Sequence, residues 1–174
     1  MKIYKKILSY AINHKYLVYI SILCSLISVI FTMAGFCYIY EILKSILLKN
    51  DLVLAKNIAI KTVIILTMGA LFYLLAQIFS HKLGFKIETN LRKKGVKGIL
   101  NASFQFFDTN QSGKVRRIID DNAANTHSAI AHLIPDLGQV FLMPIMCIVF
   151  SFVIDIKLAI ALILVLILCG ILAS

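Results

Sequence analysis

From Tyr16 to Tyr40 the chain runs for twenty-five residues without a formally charged side chain. A segment of this kind admits few folds. In hydrocarbon every backbone N–H and C=O must find its partner inside the segment or in a closed barrel, and an uninterrupted run this long and this apolar meets that demand as a helix. At 1.5 Å per residue it covers about 37 Å, enough to cross a core of about 30 Å with some tilt. Tyr16 and Tyr19 at one end, with Tyr38 and Tyr40 at the other, are placed as interfacial anchors. Further apolar stretches lie at about 58–80, 134–154 and 158–174. With 60% hydrophobic and 15% charged residues among 174, and a mean hydropathy of +0.92, a soluble domain is excluded and an all-α membrane protein is expected.

Between the spans stands a polar island, Ala102 to Leu137, which cannot sit in lipid and must lie in water on one side. The N-terminal arm and the region around the island hold thirteen of the Lys and Arg residues, whereas the segments facing the other side hold five: Lys44, Lys49, Lys56, Lys61 and Lys157. The positive-inside bias then places the N-terminus and the island in the cytoplasm of a multi-pass plasma-membrane protein, with Glu41 to Asn57 outside. The net charge of +10 does not point to nucleic acid, because the basic residues flank apolar spans and are not interleaved with base-stacking aromatics. Residues 1–15 alternate basic and apolar positions at helical spacing, as an amphipathic elbow lying on the inner surface would. The run after it is too long for the apolar core of a signal peptide, and no small-residue cleavage site follows.

From Ile58 to about Ala102 no proline intervenes, and the pattern passes from apolar on all sides to amphipathic. Leu83, Ile87, Leu91, Gly95 and Ile99 recur every four residues, with Lys86, Arg92, Lys93 and Lys97 off that line. After Gly113 a second amphipathic stretch begins, with its stripe expected at Val115, Ile118, Ile119, Asn122, Thr126, Ala129, Ile130 and Leu133. Two long helices are therefore expected to form an antiparallel hairpin over about 81–133, running on from their membrane spans and joined by FQFFDTNQSG. Asp108 and Ser112 read as turn and N-cap residues, and Asp120 and Asp121 as a solvated face or partners of Arg116 and Arg117. Pro135 and Pro144 are expected to stay within a helix that its neighbours support. Asp155 to Lys157 reads as a tight turn, and the span after it has seventeen residues with no charged or aromatic anchor, which suggests part of a longer protein.

A helix pair entering the cytoplasm with the tip FFDTNQSGKVRRIIDDNA resembles the first intracellular loop of ABC exporter-type transmembrane domains. The resemblance covers essentially the whole chain: an elbow at 1–15 and a partial transmembrane domain at 16–174. It implies a permease that forms a substrate pathway, pairs with a second transmembrane half and is driven by an ATP-binding domain. It also implies a short coupling helix at Phe104 to Gln111, with Phe104, Phe106, Phe107, Asp108, Ser112 and Gly113 as the residues facing that domain. ATP and magnesium belong to the assembly and not to this chain: Lys114 is followed by Val115 in place of Ser or Thr, and the glycine of a phosphate loop is Asp108. Chemistry alone also favours a partner at the tip, since exposed Phe106 and Phe107 leave about 2 kcal/mol of burial each unrealised; packing back on the hairpin is the competing reading. Asp136 and Gln139, just inside the membrane edge, are candidates for the substrate path, with interfacial snorkelling the alternative. His127 and His132 are five apart and do not share a face as a metal pair would; Cys24, Cys37, Cys147 and Cys169 form no short-spaced set. No metal is expected. The competing function is a small membrane adaptor or channel-like subunit whose hairpin binds a regulator.

Overall fold

The computed structural model describes residues 7, 9–11, 14–48 and 51–172, with the side chain of residue 104 excepted. The helical elbow expected over 1–15 falls mostly outside these residues. From Tyr16 on, the described residues form five helices in order: α1 (Tyr16–Leu47), α2 (Leu52–Leu100), α3 (Phe104–Thr109), α4 (Ser112–Ile154) and α5 (Ile156–Leu172). Of these, α1, α2 and α4 are long and apolar enough to cross a membrane. The 49 residues of α2 form a rod of about 73 Å, more than twice a hydrocarbon core of about 30 Å. As the unbroken pattern requires, no turn interrupts it.

The helix ends follow local chemistry. Asp51 precedes α2, and its Oδ1 accepts the Leu54 N–H at 2.9 Å, satisfying one of the amides a helix start leaves unpaired. Asp155 separates α4 from α5 by a single residue, its Oδ1 taking the Lys157 N–H at 2.8 Å. Pro135 and Pro144 both remain inside α4. A hydroxyl from another helix does reach the first of them, Ser25 donating to the carbonyl of Pro135.

By contacts the chain divides into two units, one of residues 1–25 with 73–136, the other of residues 26–72 with 137–174. In the first, Ala11, Leu17, Leu83 and Ile87 form a buried core, with Ile7, Tyr10, Phe79, Leu91, Ile130 and Ile134 packed against it. The described part of the lead-in is thus fastened to protein: Asn90 Nδ2 donates to the Tyr10 carbonyl at 2.7 Å, and the Lys94 ammonium lies 4.9 Å from the Tyr10 ring centre. The stripe on α2 is as expected, since Leu83 and Ile87 are buried and Leu91, Gly95 and Ile99 are half-buried among exposed neighbours. On α4 the expectation needs correcting. Val115, Ile119, Thr126 and Ile130 do face inward, but Ile118, Asn122, Ala129 and Leu133 are exposed. Their places are taken by Ala123 and Ala131, both fully buried, and by His127. Close approach explains the change. At Gly84 an added Cβ would lie 3.2 Å from His127 Cδ2 and 3.3 Å from its carbonyl oxygen, so at this point the glycine lets the α4 backbone and the His127 ring approach closely.

In the second unit Phe31 stacks on Phe72 with ring centres 5.6 Å apart, Tyr40 meets Phe150 edge-on, and Ser28 donates to the carbonyl of Gly69 at 2.8 Å. Buried serines recur in the first unit, Ser21 donating to the Ala76 carbonyl at 2.8 Å and Ser80 to that of Ile130 at 2.9 Å. A hydroxyl in lipid has no water to turn to, and a carbonyl on a neighbouring helix is its remedy. Ser21→Ala is expected to cost about 0.6 kcal/mol, the loss of one such bond. Ser21→Leu, which forces extra carbons into a fully buried site, should cost about 1–3 kcal/mol in detergent-titrated unfolding.

Candidate functional site

At the hairpin tip the six residues of α3 are set between two extended residues, Ser103 (φ −68°, ψ 155°) and Asn110 (φ −125°, ψ 119°). The Phe106 carbonyl closes the helix: the Asn110 backbone N–H and Asn110 Nδ2 each donate to it at 3.0 Å, and Thr109 Oγ1 does so at 3.2 Å. Phe106 and Phe107 meet edge-to-face with ring centres 5.5 Å apart; Phe106 is half-buried and Phe107 is 38% exposed. Gln105, Asp108, Ser112 and Gly113 are exposed. Two sequence assignments are corrected. Asp108 is a helical residue of α3, not a turn residue, and Ser112 is the first residue of α4, not its N-cap. The Gln111 carbonyl accepts the Val115 N–H at 3.1 Å, so Gln111 stands at the cap position.

Behind the tip the arms are laced by charge. Arg92 bonds Glu88 at 2.8 Å on its own helix and reaches Asp120 on α4 at 3.3 Å, while Arg116 pairs with Asp120 and Arg117 with Asp121. The pairs of Asp120 and Asp121 are those anticipated, and with these groups largely exposed each is worth only about 0–1 kcal/mol. Glu88 also joins a histidine cluster that His127 and His132 alone did not suggest. His127 Nδ1 lies 2.7 Å from Glu88 Oε2, and His127 Nε2 lies 3.4 Å from His81 Nδ1. The carboxylate accepts a hydrogen bond from His127 Nδ1–H, and in that tautomer Nε2 is the acceptor toward His81. His132 lies edge-on to His81 with ring centres 5.6 Å apart, and Phe85 closes on His127 at 4.2 Å. Among the described residues no three His, Cys, Asp or Glu side chains are placed to hold a metal.

Asp136 is half-buried and accepts the Tyr73 hydroxyl at 3.0 Å; Gln77 Nε2 in turn donates to the Tyr73 oxygen at 2.9 Å. Gln139, paired with Asp136 in the sequence reading, has no hydrogen bond to it and belongs to the other unit. Of Tyr73, Gln77, His81 and Glu88, only Gln77 is marked in the sequence, as a polar position within a span that expects a helix neighbour. Their signal was present: with Arg92 they recur at four- and seven-residue spacing, a polar line beside the aliphatic one on α2.

A family model described as the ABC transporter transmembrane region matches residues 18–174. No curated protein matches the sequence. The match takes in every span-length helix, the hairpin and its tip, and the all-helical architecture agrees with it. The chain is therefore a membrane protein belonging to the ABC transporter transmembrane-region family.

Proposed function

We propose that the chain is the part of the permease that carries motion between an ATP-binding domain and the substrate pathway, through the tip of the α2–α4 hairpin. One observation carries the reading: two helices far longer than a bilayer end in a short helix bearing the half-buried Phe106 and the exposed Phe107. A solvated aromatic pair on a long lever is suited to seat in an apolar pocket of a partner domain. In the family such permeases work as two transmembrane halves with ATP-binding domains, so a second half, homologous or identical, is the expected neighbour. ATP and magnesium are handled by the ATP-binding domain, and this chain hydrolyses no ATP itself.

The tip and the N-terminus lie in the cytoplasm and the α1–α2 turn outside, as the uneven distribution of Lys and Arg supports. In a background lacking Cys24, Cys37, Cys147 and Cys169, a single cysteine at Asp51 should react with an impermeant reagent from outside. One at Asn110 should react only after permeabilisation. The reverse pattern removes the tip from the side where ATP is hydrolysed and ends the coupling reading.

A further inference from the structure

The hairpin treats its arginines and its lysines differently. Arg92, Arg116 and Arg117 each have a carboxylate partner in Glu88, Asp120 or Asp121. Lys93, Lys94 and Lys97 have none, although all eight acidic residues of the sequence lie among the described residues. Instead the three lysines line one cavity of about 440 Å³ with Ser9, Tyr10 and Asn90, between the lead-in and α2. No carboxylate lines it, and the whole cavity lies in the first unit. Lys93 and Lys97, four residues apart on a helix, repel each other, and Lys94 beside them adds to the repulsion. Unconstrained lysines relieve such a clash by swinging out into water. Lys94 is held in place, its Nζ donating to the Tyr10 hydroxyl at 3.0 Å and lying 4.9 Å from the Tyr10 ring centre. Tyr10 is fastened in turn, its carbonyl accepting Asn90 Nδ2 at 2.7 Å and its side packing on the core of Ala11, Leu83 and Ile87.

A cationic ligand is repelled by this cavity, and a neutral one leaves the repulsion standing. Among anions, a planar carboxylate is best matched by the fork of an arginine, whereas ammonium groups act as compact point charges that suit a phosphate, with its several oxygens and higher charge. We propose that the cavity binds a phosphate-bearing anion, with Lys93 and Lys97 supplying charge from one turn of α2 and Lys94, oriented by Tyr10, closing on the ligand from beside them. A lipid head group at the inner surface and a soluble phosphate both present this chemistry, and the test separates them. The site does not rest on the coupling reading above, because its readout is the lysines themselves and not ATP hydrolysis.

The test follows the reactivity of individual lysines toward an acetylating ester, read by peptide mass spectrometry on the full chain in phosphatidylcholine nanodiscs. Sodium pyrophosphate is the soluble probe, compared with sodium chloride at equal ionic strength. Phosphatidic acid added to the disc is the lipid probe, compared with phosphatidylcholine alone. Under at least one of them Lys93 and Lys97 should lose reactivity at least about threefold, the protection given by a ligand at twice its Kd. The loss should exceed any at Lys157, an exposed lysine of α5 outside the cavity. Lys94→Gln removes one charge and should raise the probe concentration needed for that protection at least about fivefold. Tyr10→Phe keeps the ring and deletes only the hydroxyl that orients Lys94, and should raise it about twofold. Protection by pyrophosphate alone assigns a soluble ligand, by phosphatidic acid alone a lipid head group, and by both a site that reads the phosphate itself. No protection under either probe, equal losses at Lys157, or undiminished protection in Lys94→Gln overturns the site.

Discussion

Replacing Phe106 and Phe107 with Ala in the assembled transporter is expected to leave basal ATP hydrolysis intact, abolish its stimulation by substrate, and stop transport. The two rings touch each other edge-to-face at 5.5 Å, so each holds the other in the orientation it presents. Seated in a pocket of the ATP-binding domain, each contributes roughly 2 kcal/mol of apolar burial, and the double replacement removes most of a small docking anchor. Neither ring lies in a span, so insertion and topology should survive. On the proposed reading the catalytic site belongs to the ATP-binding domain and is untouched, while the coupling free energy between the two sites falls. ATPase assays with and without substrate, beside vesicle transport, read both halves of the result. Normal transport with normal stimulation in the double variant means that the rings serve only the hairpin's own packing. The single variants discriminate further: Phe107, the more exposed, should carry the larger loss, and Phe106 should act partly by positioning it.

What was legible in the sequence follows from how strongly each level constrains the chain. Lipid tolerates so few backbone arrangements that the long helices, their continuity through 58–100 and the break at Asp155 could be read directly. The aliphatic line Leu83, Ile87, Leu91, Gly95 and Ile99 was equally plain, because burial selects side chains by size and polarity together. The matching seam on α4 was not. There the glycines of the other helix leave space for His127 and Ile119, while the buried positions between and beyond them are the small Ala123 and Ala131, not the larger Ile118 and Leu133 that a hydrophobicity pattern favours. The cap of α4 lies one position earlier than its residue chemistry suggests. Ser112 has the chemistry of an N-cap, but the helix starts where Gln111 offers its carbonyl, a matter of chain direction at the tip. The polar line Tyr73, Gln77, His81, Glu88 and Arg92 does not stand out as one line because it begins inside an apolar span and ends in a basic stretch, where Arg92 is one charge among several. Asp136 stands out as polar within apolar sequence, yet its partner Tyr73 lies 63 residues earlier, and no local pattern reports such a pairing.

The same close approach gives the second large effect. At Gly95 an added Cβ would stand 2.7 Å from Ile119 Cγ2, 3.0 Å from Cδ1 and 3.1 Å from Cγ1, so three atoms of one side chain occupy the space. Isoleucine is branched at Cβ and stiff in a helix, and it cannot swing clear as a long unbranched chain does. Gly95→Leu must therefore separate the hairpin arms, at a cost of about 1–3 kcal/mol from overpacking. The strain falls near the contact from Arg92 to Asp120, which ties the same arms and should lengthen with them. A lever whose arms are splayed transmits less of the tip's displacement, so stimulated ATPase and transport should drop together while basal hydrolysis persists. Ile119→Ala alone deletes the same three atoms and opens the seam, which should also lower stability. Combining Gly95→Leu with Ile119→Ala returns a side chain of similar volume to the gap from the opposite arm. The double variant should then be better than the sum of its parts, by about 1 kcal/mol or more of favourable interaction in thermal unfolding, with stimulation partly restored. Gly98, three residues on, is the control, because a Cβ there meets nothing within 4 Å. Gly98→Leu should leave stimulation unchanged. Additive losses in the Gly95 and Ile119 pair, or equal damage from Gly98→Leu, mean that the contact of Gly95 with Ile119 does not set the hairpin's stiffness.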